Sequence, residues 1–218
     1  MTQLDDRLTK ILESRAERQI LRSLTPTVAP EVPLVDFSSN DYLSFGRSTT
    51  LRSRFLSNLS KLPSPYGPPS SRLLDGNSSH HLDLEAQLTA FFRADSGLLF
   101  NSGFDANVGA WTTLPDKDDW IVYDELIHAS VHDGMRASRV EPSKRRSFKH
   151  NSVEDLRRVL GEIVKLDSEV KSGARSVWVG VETLYSMDGD LSPLKDIVAA
   201  TEQALPKGNG HLVVDEVC

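Results

Sequence analysis

The sequence has almost no cysteine: Cys218, its last residue, is the single one in 218. One thiol cannot build an internal disulfide framework, which fits a reducing compartment. Nor is there an excess of positive charge. Lys and Arg number 25 against 31 Asp and Glu, a net charge of −6. The cations are scattered, and the densest run, Lys144-Arg145-Arg146 after Pro142, reads as a solvated loop. That argues against a nucleic-acid surface. No apolar stretch is long enough to span a bilayer, and the N-terminus lacks the hydrophobic region of a signal peptide. No internal repeat is visible. These absences lead to the expectation of a soluble, cytoplasmic protein with neither a nucleic-acid partner nor a membrane span. What is present, 39% hydrophobic and 26% charged residues, is ordinary for a globular protein and ample for a core.

Periodicity orders the chain. Leu4, Leu8, Ile11, Leu12 and Leu21 recur at near-helical spacing, with Asp5 and Asp6 suited to a first turn. After the Pro-containing stretch Thr25 to Pro33 comes a short extended piece, Val35 to Phe37, and then turn chemistry from Ser38 to Leu43. A helix is predicted over Arg47 to Leu59 and a loop over Pro63 to Gly76. Beyond it, helices and strands alternate. Ser79 is placed to cap a helix through Leu82, Leu88 and Phe91, and Leu98-Leu99-Phe100 reads as a strand. Phe104 to Trp111, Ile127 to Ala137 and Ser152 to Val164 read as helices. Trp120 to Tyr123, Ser147-Phe148, Ser176 to Val181 and His211 to Asp215 read as strands, and Pro193 as a helix start. Such alternation predicts an α/β fold: a mostly parallel sheet with helices on both faces. Ligands in these folds sit beyond the carboxyl ends of the strands.

Four strand ends carry polar residues a core does not need. Asn101 to Asn107 includes Gly103, which permits close backbone approach, and the helix start behind it offers an anion site; an ordinary turn is the alternative. Asp124, His128 and His132 are spaced by four, so one helix face could carry all three. They match no strong zinc motif, and no metal is expected; a surface histidine or an imidazole stacked on a flat ring remain as readings. Glu182 to Asp190 contains Asp188-Gly189-Asp190 without the rest of a calcium loop. Asp215 ends the last strand, where a buried acid calls for a cationic partner.

Phe37 to Leu43, Ser70 to Asn77, Asn101 to Asn107, Asp124 to Ser130, Ser186 to Asp190 and Val213 to Glu216 occur in the order found in α-oxoamine synthases. From about Asp36 to Glu216 the chain resembles that family, and within it the 8-amino-7-oxononanoate synthase group of biotin biosynthesis. The resemblance implies a pyridoxal-phosphate (PLP) transferase of fold type I, active as a homodimer or as a heterodimer with a family member. It implies condensation of an amino acid with an acyl-CoA or acyl thioester, with decarboxylation, to an aminoketone. It implies that Ser102, Gly103 and Phe104 hold the cofactor phosphate. It further implies that His128 stacks on the ring, that Asp215 pairs with the ring nitrogen, and that Glu182 and Ser186 line the substrate side. Asn40 and Tyr42 lie near the entrance.

Three departures stand out. Tyr66-Gly67-Pro68-Pro69 replaces a glycine-rich stretch, so two N–H donors are lost there. Val217-Cys218 stands where the family has Ala-His. The family's Schiff-base lysine lies a few tens of residues past Glu216. Only Lys171 here has a hydroxyl residue three positions earlier, Ser168. The domain expectation is therefore an N-terminal helical arm over 1–60 and an incomplete PLP-binding large domain over 61–218, truncated before its end, with the C-terminal small domain absent. Such a chain alone is expected to be inactive, with no covalent cofactor. The alternatives are a lysine-less, non-catalytic partner subunit or a non-functional remnant.

Overall fold

The computed structural model describes residues 2–24, 35, 37, 39–62 and 66–217. The expectations for Thr25 to Pro33, Asp36, Ser38, Pro63 and Cys218 lie outside them. Two compact units form, Met1–Pro68 and Pro69–Cys218. In the first, α1 covers Gln3–Glu17. Thr2 and Asp5 close a reciprocal cap, with Thr2 N–H on Asp5 Oδ2 at 2.7 Å and Asp5 N–H on Thr2 Oγ1 at 3.2 Å. Helix α2 runs over Thr49–Leu59, two residues later than predicted, after a 3₁₀ turn at Phe45–Arg47. Ser48 sets that start, because its hydroxyl accepts from Leu51 N–H at 3.3 Å.

The second unit holds α3 (Ser79–Phe92), α4 (Gly103–Thr113), α5 (Ala129–Ala137), α6 (Val153–Leu166), α7 (Ser168–Ser172) and α8 (Leu194–Ala204). Its sheet holds β1 (Trp120–Asp124), β2 (Arg145–Phe148), β3 (Val177–Glu182) and β4 (Gly210–Asp215). The strands lie in the order β2-β1-β3-β4 and all pairings are parallel. Alternation along each strand sorts the side chains between two layers. Trp120, Val122, Val177, Val179 and Val181 pack with Leu156, Leu160 and Ile163 of α6 and Ile197 of α8. On the other face Ile121 packs with Trp111 of α4 and with Val131 and Met135 of α5. Gly134 lets α4 and α5 approach, since a Cβ there would stand 2.7 Å from Trp111 Cβ.

Four local expectations need correction. Leu98 to Phe100 is not a strand: no strand pairs with it among the described residues, and the Leu99 N–H instead donates to Glu85 Oε1 at 2.8 Å. Ser78, not Ser79, caps α3, accepting from His81 N–H at 3.4 Å. Pro193 is the cap of α8 rather than its first residue. Lys144-Arg145-Arg146 is not a loop, for Lys144 closes a 3₁₀ turn and the two arginines open β2.

Candidate active site

The chain runs from β1 to β2 and then returns across β1 to β3 and β4, so strand order reverses between β1 and β3. Crevices open at such reversals, outside the strand carboxyl ends. Three acids are delivered there by the last positions of β1, β3 and β4: Asp124, Glu182 and Asp215. Glu182 stands opposite Asp215 in the register.

One hydrogen-bonded chain joins Asp215 to Glu182. Asn107, on α4, donates through Nδ2 to Asp215 Oδ2 at 2.6 Å and to Ser130 Oγ at 3.0 Å. The Ser130 hydroxyl lies 2.7 Å from His128 Nδ1, and Ser130 N–H donates to the same nitrogen at 3.1 Å. A ring nitrogen that accepts a backbone N–H carries no proton. The Ser130 hydroxyl must therefore donate to it, and a neutral His128 keeps its proton on Nε2. The His128 N–H donates to Glu182 Oε1 at 2.6 Å. Burial pushes the Glu182 carboxyl above the usual carboxylate range; the nearby Asp215 charge adds to this and the His128 N–H opposes it.

At the start of α4, Ser102 accepts from Asp105 N–H at 3.0 Å, while the N–H groups of Gly103 and Phe104 have no partner among the described residues. A Cβ at Gly103 would stand 2.4 Å from Val217 Cγ2. The Phe104 ring meets that of His128 edge-on, centroids 6.2 Å apart. A cavity of about 360 Å³, lined by Leu126, His128, Glu182, Tyr185, Ser186 and Met187 among others, opens beside them. Ser102, Gly103, Phe104, His128, Glu182, Ser186 and Asp215 thus all lie on the carboxyl-end side of the sheet. Asn40 and Tyr42 belong to the first unit, where the Tyr42 hydroxyl donates to Asn40 Oδ1 at 3.4 Å.

One expectation differs. Asp124, His128 and His132 do not share a helix face: Asp124 ends β1, His128 caps α5, and His132 packs edge-on against Tyr123 at 5.3 Å. Asp215 accepts from the Asn107 amide and from the Val217 N–H, at 3.0 Å, and forms no ion pair among the described residues. Sequence reasoning missed Asn107 and Ser130 as connectors, although each sits four or two residues from a residue it did single out. It also missed the group formed by Asp124, His150 and Asp190. Both His150 nitrogens face carboxylates, at 2.8 Å and 2.7 Å.

A family model for aminotransferase class I and II matches residues 32–217. The chain belongs to the aminotransferase class I and II family. Its likeness within that PLP-dependent family is to α-oxoamine synthases. It is 47% identical over 215 residues to an 8-amino-7-oxononanoate synthase of Emericella nidulans, covering 98% of this chain and 51% of that one. An aminoacyl transferase, sphA, of Byssochlamys spectabilis is 36% identical over 210 residues, which is 96% of this chain and 44% of its own. A serine palmitoyltransferase variant from S. paucimobilis with a bound PLP–myriocin aldimine superposes with a TM-score of 0.65 at 31% identity, over 77% of this chain and 38% of that one. The fold is that of fold type I PLP enzymes. The chain spans about half the length of the curated relatives it matches.

Proposed function

We propose that this chain forms the cofactor-cradling part of an α-oxoamine synthase of the 8-amino-7-oxononanoate synthase type, joining an amino acid to an acyl-CoA or acyl thioester with loss of carbon dioxide. The observation that carries the reading is the convergence of three ligand-ready groups at one sheet end. Gly103 and Phe104 offer two N–H donors at a helix start with no partner among the described residues, suited to a phosphate. His128 offers an exposed ring held in one orientation by Ser130. Asp215 offers a carboxylate with acceptor capacity to spare. A phosphorylated pyridine meets all three requirements. PLP, when bound, supplies an electron sink for a carbanion at the amino acid's α-carbon.

The residues then divide the work. Gly103 and Phe104 bind the phosphate, and Ser102 fixes the helix start they belong to. His128 covers one face of the ring. Asp215, oriented by Asn107, holds a proton on the pyridine nitrogen. Glu182 and Ser186 line the cavity toward substrate. Residues 1–60 act as an arm and 61–218 as part of the large domain. We read the cofactor as held here without a covalent bond: Lys171 is exposed on α7, ahead of β3 rather than beyond the end that carries Glu182. A dimer, with itself or with another family member, belongs to the same reading and is supported by the exposure of Phe91, Phe92 and Leu98 at 78%, 66% and 67%.

Equilibrium dialysis with PLP, followed by borohydride reduction and intact-mass measurement, tests this. Saturable binding with no stoichiometric reduced adduct is expected. No binding overturns the site, and a single fully labelled lysine overturns the non-covalent reading.

A further inference from the structure

His150 has no part in the reading above. It follows β2, and its ring bridges two carboxylates: Nδ1 lies 2.8 Å from Asp124 Oδ1 and Nε2 lies 2.7 Å from Asp190 Oδ2. Asp124 is fully buried and also accepts the N–H groups of Leu126 at 2.9 Å and Asn151 at 2.8 Å. Asp190 closes the loop leaving β3. There Leu184 bridges to Leu191, Tyr185 N–H reaches Asp190 O at 3.0 Å, and Gly189 N–H reaches Tyr185 O at 2.8 Å. The same loop supplies Tyr185, Ser186 and Met187 to the cavity beside His128 and Glu182. One imidazole therefore ties the end of β1 to the wall of the site.

An ionised carboxylate only accepts hydrogen bonds, so a ring with a carboxylate at each nitrogen must donate from both. We propose that His150 is a positioning residue: as an imidazolium between Asp124 and Asp190 it fixes the Leu184–Leu191 loop as the wall of the cavity, and loss of its proton frees the Asp190 end. The release has a direction. Asp124 is sealed from water and cannot give up a donor cheaply, whereas the Asp190 side chain is 40% exposed and can turn to solvent. A neutral ring therefore keeps its proton on Nδ1 for Asp124.

The groups facing His150 agree. Glu125, which follows β1, accepts its backbone N–H at 3.0 Å, and Tyr185 meets its ring edge-on at 4.5 Å. Lys149 precedes it with an exposed side chain, and neutral Asn151 donates through Nδ2 to Asp190 Oδ2 at 2.6 Å, with Nδ2 3.1 Å from Nε2, where it can donate to the ring once that nitrogen has lost its proton. Burial opposes the proton, but the hydrogen bonds to Asp124 and Asp190 outweigh it, so the ring titrates above its ordinary value. A histidine raised in this way lends its stability fully below about pH 6.5 and loses it as pH rises through the raised value.

That this loop walls an active site rests on the function proposed above; the clamp itself is measured without cofactor. The experiment follows the His150 ring and the Tyr185 and Gly189 amides of the 218-residue chain by NMR from about pH 5.5 to 9. Asp190→Asn keeps an acceptor and adds a donor that a neutral ring can accept, so it removes the need for the proton. His150→Gln can reach only one carboxylate. In the wild type the loop amides should titrate with the His150 midpoint. In Asp190→Asn that response should vanish with the loop still closed, and in His150→Gln the loop should be open at every pH. Loop amides indifferent to His150 titration, or an unchanged response in Asp190→Asn, would overturn the proposal. PLP binding, measured separately on the same samples, decides the cofactor reading on its own.

Discussion

Asn107→Asp puts a second carboxylate where Asn107 Nδ2 now lies 2.6 Å from Asp215 Oδ2. Two unit charges at that distance repel by about 6 kcal/mol at an effective dielectric of about 20. The protein has a cheaper escape, which is to protonate one of them. From a usual carboxyl value near 4 that costs about 4 kcal/mol at pH 7 and about 0.7 kcal/mol at pH 4.5. Asp215 is only half-buried, so water and side-chain rotation relieve part of the strain. The expected loss of folding stability is about 2–3 kcal/mol at pH 7, falling below about 1 kcal/mol at pH 4.5. At low pH the new carboxylic acid can donate to Asp215 as the amide does. The sign follows from linkage: the variant's pair takes up a proton on folding, so its stability deficit grows as pH rises. Urea unfolding followed by tryptophan fluorescence at the two pH values reads both numbers. An equal loss at both, or none at pH 7, would refute the contact between Asn107 and Asp215.

Glu182→Gln keeps an acceptor for the His128 N–H and removes a charge that burial disfavours. The raised carboxyl costs stability above its own titration, so the variant should melt a few degrees higher near pH 7, about 1 kcal/mol, and lose that gain in acid; melting curves across pH check it. Leu160→Ala, fully buried under the sheet, should cost about 2–5 kcal/mol in urea unfolding. The exposed Phe91, Phe92 and Leu98 should make self-association concentration-dependent in analytical ultracentrifugation, and Phe92→Glu should weaken it; a monomer at all concentrations would contradict that part of the reading.

Much of the fold was legible because its signals are local. Apolar runs at Trp120 to Tyr123, Ser176 to Val181 and His211 to Asp215 marked three strands closely, and the Ser152–Asp155 pair marked the start of α6, where Ser152 Oγ accepts at 3.2 Å. Leu98 to Phe100 misled for a physical reason. A strand exists only when another pairs with it, and β propensity says nothing of whether a neighbour is present. That the candidate site residues gather at one sheet end was legible from the strand-end rule, but their wiring was not. Asn107 meets Asp215 across 108 positions of sequence, and His150 meets Asp190 across 40. Contacts of that range follow from packing α4 against α5 and β2 beside β1, which no local pattern encodes.

Gly103, Phe104, His128 and Asp215 are proposed to form one cradle for PLP. A titration of the 218-residue chain with PLP, read as backbone amide shifts, addresses it most directly. Saturable shifts are expected at residues 102–107, 128–130 and 215–217, with at least a tenfold weaker response in Gly103→Leu, about 1.4 kcal/mol, whose side chain would enter space only 2.4 Å from Val217. Shifts clustered elsewhere, or Gly103→Leu binding as the wild type does, would contradict it.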